Sequence, residues 1–203
     1  MSMESNKNTI ALCLITLAAG LLLSIVYEIT KAPIAEGQIK AKEKAYKEVF
    51  QEAEVFEDFS IEVQEVKEYL STQGYEQEDI EEVMKAIGKD GSLLGYVMMI
   101  TTHEGYGGDI CFSMGIQKDG SLNGISILSI SETAGLGMKA KEENFKGQFV
   151  GKSVNRFIYT KNGANNENEI DAISGATITT NAMVQGINAG ICYFQSLGGY
   201  ADE

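Results

Sequence analysis

A short segment rich in small and hydroxyl-bearing residues precedes the last apolar stretch of the chain and reads D-A-I-S-G-A-T-I-T-T from Asp171 to Thr180. Ser174 is of a type that caps helix N-termini, and Gly175-Ala176 lets another group approach closely. The first free amides of the following helix would then converge near the Thr177 hydroxyl, and such a helix start favours phosphate. An ordinary helix cap accounts for the same residue types, so this segment alone leaves both interpretations open.

Two further motifs accompany it and give the chain a family resemblance. Gly105 to Gly108 reads G-Y-G-G, Ser131 to Gly137 reads S-E-T-A-G-L-G, and D-x-x-S-G-A-T-x-T begins at Asp171. With a single N-terminal apolar span and an acidic helical region before them, these motifs resemble the FMN-binding G subunit of the Rnf complex. The nearest relative of that family is the C subunit of the sodium-translocating NADH:quinone reductase. Two positions depart from its pattern, because Ala134 stands where proline is frequent and Ala172 where glycine is frequent.

The resemblance implies a covalent flavin. In that family the threonine of S-G-A-T carries FMN through a phosphoester bond, and the matching residue is Thr177. It also implies a separate flavin transferase that uses FAD and a divalent metal. The expected partners are the membrane and peripheral subunits of an Rnf-type complex, which couples electron transfer from ferredoxin to NAD with sodium or proton translocation. Thr177 is then a tether, not a catalytic residue, and the chain relays electrons within a larger translocase.

The flavin site that the resemblance implies draws on all three motifs. Leu136 is expected to cover the ring, and Glu132 or Thr133 to hydrogen-bond its polar edge. A glycine loop that only reverses the chain is the alternative interpretation of this segment. Tyr106 is expected either to stack on the ring or to pack against the protein. The complete set of predicted cofactor-binding residues is Tyr106, Glu132, Thr133, Gly135, Leu136, Gly137, Asp171, Ser174, Gly175, Ala176 and Thr177.

Composition excludes several other kinds of site. The net charge of −13 argues against a nucleic-acid partner, because phosphate backbones are bound by clustered Lys and Arg. Cys13, Cys111 and Cys192 form no C-x-x-C pair, and His103 is the single histidine. We therefore expect no metal site and no His-based nucleophilic site. The chain also lacks a P-loop and a G-x-G-x-x-G motif after a strand, which argues against a Rossmann-type dinucleotide site.

An apolar span near the N-terminus predicts a membrane anchor. The seventeen residues from Ile10 to Val26 carry no charge, which is close to the minimum for a spanning helix. Ala32 and Ala35 are one residue too far apart for a small-x-small cleavage site, so we expect an uncleaved single-pass anchor in a bacterial or archaeal cell membrane. The lysines that follow the span outnumber those before it, which favours a cytoplasmic domain. The resemblance implies an extracytoplasmic flavin domain, and we follow it because long C-terminal domains translocate largely regardless of charge.

The remaining residue patterns predict an α+β fold, with a mostly antiparallel sheet and flanking helices. An amphipathic helix is predicted after the break at Pro33, over 34–56, and a short acidic helix over 77–87. Asp-Gly turns between apolar runs indicate antiparallel hairpins. The predicted strands are 94–101, 110–116, 124–130 and 154–159. An apolar helix from Ile178 to Phe194 closes the domain.

These predictions divide the chain into four parts. They are a short tail at 1–9, a transmembrane helix at 10–27, an amphipathic helical linker at 28–58 and an FMN-binding domain at 59–203.

Three functions of different classes fit these features. The first is the redox subunit of an Rnf-type complex, with the C subunit of the sodium-translocating quinone reductase as its alternative within the family. The second is a solitary extracytoplasmic flavoprotein that shuttles electrons to an external acceptor. The third is a membrane-tethered binding or structural module without flavin.

Overall fold

The computed structural model describes the backbone of residues 2–198 and the side chains of residues 7–198. The chain divides into two compact units, the first ending at Lys42 and the second beginning at Glu43.

A single helix, α1, runs from Ser2–Val49 and passes through Pro33 without ending. The predicted break at this proline was therefore wrong. Proline removes one hydrogen bond from a helix interior, but Ala, Glu, Lys and Gln predominate after it, and these residues favour the helical state. Between Lys7 and Val49 the helix is long and apolar enough to cross a membrane.

The second unit is built on a five-stranded antiparallel sheet whose strands follow one another in chain order. The strands are β1 (Val55–Asp58), β2 (Glu78–Ile87), β3 (Leu93–Thr102), β4 (Ile110–Gln117) and β5 (Leu122–Ile130). Asp90 and Asp119 close two of the hairpins by accepting hydrogen bonds from Ser92 and Ser121, respectively. The predicted Asp-Gly hairpins and the α+β class are confirmed.

Strand β2 occupies the segment that was predicted to be a short acidic helix. Ile80 and Val83 are both buried in the same core cluster, although they are three residues apart. A register shift between Ile80 and Glu82 inserts one extra residue into the strand, so that residues three apart share a face. The helix was predicted from the acidic residues near the start of this segment, and that prediction was wrong because these residues lie in a strand. The bulge gives the buried residues of this strand the spacing of a helix turn.

Helices and a small second sheet complete the unit. Helix α2 (Val63–Thr72), a 3-10 turn (Gly137–Lys141) and α3 (Glu143–Lys146) were not predicted. Strand β6 (Ile158–Thr160) is shorter than predicted and pairs in parallel with β7 (Glu169–Asp171). The last helix, α4 (Thr177–Ser196), confirms the predicted closing helix.

The sheet carries apolar side chains on both faces. Helix α4 packs on one face, where Met183, Ile187 and Ile191 join the cluster that contains Ile100 and Phe112. The C-terminal end of α1 covers the other face, where its residues Tyr46 and Val49, and Phe50 directly after it, join Val97 and Met99. The side chain of Asn123 donates to the carbonyl of Val49 over 2.6 Å and so satisfies one of the free carbonyls at the end of α1.

Candidate functional site

A cavity of about 610 Å³ lies where α4 begins, between the loop that precedes β4 and the loop that follows β5. It unites eight of the residues predicted from the three sequence motifs with two others from the first turn of α4. The lining residues are Tyr106, Glu132, Thr133, Leu136, Gly137, Gly175, Ala176, Thr177, Ile178 and Thr179. Ile178 and Thr179 were missed, although the helical period after Thr177 places them in the same turn.

The start of α4 is formed differently from the sequence prediction. Ala176, not Ser174, is the N-cap residue, and its side chain makes no capping hydrogen bond. The Thr180 hydroxyl, one turn inside the helix, accepts from the Ile173 amide at 3.0 Å and donates to the Ala176 carbonyl at 2.9 Å. Ser174 is exposed and makes no capping contact, because the chain turns between Ile173 and Ala176 before the helix begins. That turn holds Gly175 at φ +77°, a conformation that favours glycine.

Three amides at this helix start are available to a ligand. The first hydrogen bond within the helix runs from the Thr180 amide to the Ala176 carbonyl. In the described part of the chain, the amides of Thr177, Ile178 and Thr179 have no hydrogen-bond acceptor. Free amides and the positive end of the helix dipole together attract an anion.

Of the three threonines at positions 177, 179 and 180, all within the described residues, only Thr177 is not buried. Thr177 is half-buried and lines the cavity. Thr179 is 1% exposed, and Thr180 is fully buried with its hydroxyl engaged in the two hydrogen bonds given above. Thr177 is therefore the most exposed of the three threonines and borders the cavity.

The opposite wall is the loop that follows β5, and buried Glu132 holds it in place. The Glu132 carboxylate is 8% exposed and accepts the Gly107 amide at 3.2 Å, which joins this loop to the one that carries Tyr106. A Cβ atom on Gly107 would lie 2.1 Å from the Ser131 carbonyl oxygen, and one on Gly137 would lie 2.6 Å from both Glu132 Oε2 and Thr179 Oγ1. Gly107 is thus required where two backbones meet, and Gly137 is required where the side chains of Glu132 and Thr179 leave no room for a Cβ atom.

The apolar surface of the cavity remains accessible to a ligand. Tyr106 is 71% exposed, Leu136 42% and Ile178 51%. Exposed apolar and aromatic side chains around a cavity of this size are typical of small-molecule sites, which span about 300–1,000 Å³. The combination of these walls with free amides fits a flat aromatic ligand that carries an anionic group.

Three predicted site residues lie outside this cavity. Gly135 adopts φ +77° in the loop but does not line the cavity. The Asp171 carboxylate accepts the Ala164 amide at 2.6 Å, and its own amide donates to Gln148 at 2.6 Å, so Asp171 anchors a neighbouring loop. Ser174 lines a second, smaller cavity of about 280 Å³ that Thr177 and Gly175 also border.

Polar groups fix both ends of the loop that carries Tyr106. His103 Nδ1 lies 2.8 Å from Asp109 and Nε2 lies 3.0 Å from Asp79. Hydrogen bonds to these two carboxylates raise the pKa of His103. Burial opposes ionisation of Asp79, but its hydrogen bonds with Lys67 and His103 outweigh this and lower its pKa. The loop is therefore tied to β2 at one end and closed on itself at the other.

A buried carboxyl group lies next to this loop. Glu78 is 3% exposed and accepts a hydrogen bond from Thr102 at 3.3 Å. Burial and the negative charge of Glu104 raise the pKa of Glu78 to about 7. Glu104 in turn accepts a hydrogen bond from Asn181, one turn beyond Thr177 in α4. The two carboxyl groups therefore adjoin the helix that presents the site.

Comparison with known proteins gives two family matches and several long relatives. The FMN-binding domain model matches residues 105–191, and the RnfG N-terminal region matches residues 1–49. The G subunit of the Na(+)-translocating ferredoxin:NAD(+) oxidoreductase complex of Acetobacterium woodii is 34% identical, over 94% of this chain and 92% of its own. The G subunit of the ion-translocating oxidoreductase complex of Methanosarcina acetivorans is 30% identical, over 98% of each chain. The G subunit of the proton-translocating ferredoxin:NAD(+) oxidoreductase complex of Clostridium ljungdahlii is 28% identical, over 91% of this chain and 87% of its own.

We expect Glu78→Gln to change how stability depends on pH. Because the folded-state pKa of Glu78 is about 7 and its ordinary value is 4.5, the folded protein retains a proton that the unfolded chain loses between these values. The free energy of unfolding should therefore fall across this pH window and level off above it. Glutamine can accept the Thr102 hydrogen bond without a charge, so the fall should shrink and the variant should be more stable than the unsubstituted protein at about pH 8.

The measurement is thermal unfolding of the purified full-length protein in detergent between about pH 5 and pH 8. Glu81→Gln is the matched control, because Glu81 lies on the same strand and accepts a threonine hydrogen bond at 2.7 Å, but is exposed. Parallel pH profiles for Glu78→Gln and the unsubstituted protein would contradict the assignment of a buried, protonated Glu78.

Proposed function

The chain belongs to the family of Rnf complex G subunits, and we propose that it is the FMN-carrying electron-transfer subunit of a membrane-bound, ion-translocating oxidoreductase complex. One observation carries this proposal. Thr177, the first turn of α4 with its free amides and the apolar side chains of Leu136 and Ile178 line one cavity, and every residue that lines it lies within the segment matched by the FMN-binding domain. The subunit is a redox component of the complex and is not expected to turn over alone.

The lining residues fit FMN in shape and in charge. Leu136, Ile178 and Tyr106 would hold the flat ring between apolar surfaces, while the amides at the start of α4 would bind the phosphate. Glu132, with Thr133 beside it, would face the polar edge of the ring and keep the loop against the cavity. When bound, FMN accepts and donates one or two electrons. The protein holds it at working distance and sets its surroundings.

Thr177 is proposed as the residue that carries FMN through a phosphoester bond. Its oxygen would bond to the FMN phosphorus of FAD as the bond to the AMP phosphate breaks, so that AMP leaves and the hydroxyl proton passes to a base. A separate flavin transferase, with a divalent metal, is proposed to make the bond and to supply this base.

The ion path is proposed to lie in other subunits. Two of the relatives are named for different ions, sodium in Acetobacterium woodii and protons in Clostridium ljungdahlii, at similar identities of 34% and 28%. The apolar part of α1, from Ile10 to Val26, carries no charged side chain that would relay an ion. The chain would thus pass electrons to and from neighbouring subunits, while those subunits move the ion.

Replacing Thr177 tests the covalent attachment. Thr177→Val keeps the β-branched shape and removes the hydroxyl, so the denatured protein band should lose its flavin fluorescence under ultraviolet light. Thr177→Ser restores an oxygen at the same place and should retain a fluorescent band. Thr72→Val serves as the control, because Thr72 is exposed at the end of α2 and lines neither cavity, so the substitution should leave flavin attached. A fluorescent Thr177→Val band would rule out Thr177 as the attachment point.

We further propose that α1 is a single-pass anchor and that the second unit faces away from the cytoplasm. A covalent tether is most useful there, because flavin lost outside the cell would not readily be replaced. Lys7 precedes the apolar span and Lys31, Lys40, Lys42 and Lys44 follow it, so charge alone favours the opposite orientation.

Labelling of a single introduced cysteine tests the orientation. Glu167 lies in the exposed loop between β6 and β7. In a chain whose native thiols are removed by Cys13→Ala, Cys111→Ala and Cys192→Ala, Glu167→Cys should react with a membrane-impermeant maleimide in intact cells. The thiol-free chain without this substitution is the control. Reaction only after lysis would place the second unit in the cytoplasm and overturn the proposed orientation.

A further inference from the structure

We propose that the smaller cavity beside Thr177 is the subsite for the phosphoester group and that the Lys161 side chain balances its negative charge. This inference rests on the proposed function, because it concerns the anionic end of the same covalent FMN. Six residues line the smaller cavity: Lys161, Ala172, Ile173, Ser174, Gly175 and Thr177. It was not identified from the sequence, in which Lys161 stands sixteen residues before Thr177 within a polar loop.

The two cavities differ in size and polarity, so each suits a different part of FMN. The larger one, of about 610 Å³, has apolar walls that suit a ring, whereas the smaller one holds about 280 Å³. That smaller volume is below the range of about 300–1,000 Å³ in which whole small-molecule ligands bind. Thr177 borders both cavities, so a group bonded to its oxygen has room on the side away from the ring.

Charge places the phosphate on the Lys161 side. Among the residues that line the two cavities, Glu132 is the one acidic residue and belongs to the larger cavity, while Lys161 is the one basic residue and belongs to the smaller. A phosphodiester keeps one negative charge at neutral pH, and the protein has a net charge of −13. An anion is therefore disfavoured beside Glu132 and favoured beside Lys161.

The local fold holds the Lys161 backbone next to the turn before α4. The Ala172 amide donates to the Thr160 carbonyl at 2.8 Å, so the residue before Lys161 is bonded to the residue that precedes that turn. Beyond it, the Thr160 hydroxyl accepts the Asn162 amide at 3.2 Å, and Asp171 accepts the Ala164 amide at 2.6 Å. In the described chain no acidic side chain forms an ion pair with Lys161, which leaves its ammonium group available to a ligand.

The test measures covalent flavin incorporation into the full-length chain at limiting transferase, by fluorescence of the denatured band and by intact mass. Lys161→Gln should slow incorporation about twofold to fivefold, because the attraction between an exposed ammonium group and the phosphate is lost. Lys161→Arg should restore it, and raising the salt concentration should slow the unsubstituted protein more than Lys161→Gln. Lys89→Gln is the matched control, since Lys89 is an exposed lysine in the turn between β2 and β3 that lines neither cavity.

A second pair of variants tests the same cavity from its other wall. Ser174→Asp adds a negative charge where the phosphate is proposed to lie and should slow incorporation, whereas Ser174→Asn, of similar size and neutral, should not. Thermal unfolding of each variant checks that it is folded, which is expected because both side chains are exposed.

The outcomes separate this inference from the function on which it rests. Absence of covalent flavin from the unsubstituted protein would refute the proposed attachment itself. Two results would overturn the role of the Lys161 charge when the unsubstituted protein is modified normally. One is a rate for Lys161→Gln equal to that of the unsubstituted protein, and the other is equally slow modification of Lys161→Gln and Lys161→Arg. Equal rates for Ser174→Asp and Ser174→Asn would overturn the subsite.

Discussion

Close packing of α4 against the sheet is the constraint on which the site depends. A Cβ atom on Gly190 would lie 2.4 Å from Met114 Cε and 2.7 Å from Ile100 Cδ1, so the helix backbone lies directly on side chains of the two central strands. This contact fixes the distance and the rotation of α4 because the interior has no free space into which the helix could shift. Its first turn is consequently held at the edge of the sheet where the loop after β5 emerges, with Thr179 directed at Gly137.

The rest of the site follows from satisfying polar groups at that edge. Two loops meet there backbone to backbone, and the Glu132 carboxylate is buried between them with the Gly107 amide as donor. A buried charge needs such a partner, which ties the position of one loop to that of the other. On the helix side, Thr180 bonds the turn internally and leaves the three preceding amides without acceptors in the described chain. The same arrangement that completes the fold therefore leaves donors directed at the ligand.

The residues of the site were predicted from the sequence better than the backbone structure that positions them. Motifs some seventy residues apart were assigned to one site, and the structure brings Tyr106, Glu132 and Thr177 to one cavity. The predicted Ser174 cap was wrong because the N-cap residue is Ala176 and the turn before α4 is held by the Thr180 hydroxyl, which residue types alone do not reveal. Strand β2 was mistaken for a helix because the acidic residues near its start also fit the first turn of a helix, and its bulge hides the alternation of a strand. Helix α2 carried a readable signal, since Val66 and Leu70 are buried four residues apart, but it lay in a mostly polar segment.

An acidic protein can hold an anionic cofactor only if charge is arranged locally. The helix dipole and the unpaired amides act within the first turn of α4, and water and salt screen the charges on distant surfaces. Burial raises the pKa of Glu78 to about 7, so near neutrality this carboxyl group is partly protonated and adds less negative charge behind the site than its type suggests. The carboxylates of Asp79 and Asp109 are both hydrogen-bonded to His103. These hydrogen bonds raise the pKa of His103, so its ring carries more positive charge near the two carboxylates. The free amides of α4 therefore act on an anion at Thr177 more strongly than the distant charges that contribute to the net charge of −13.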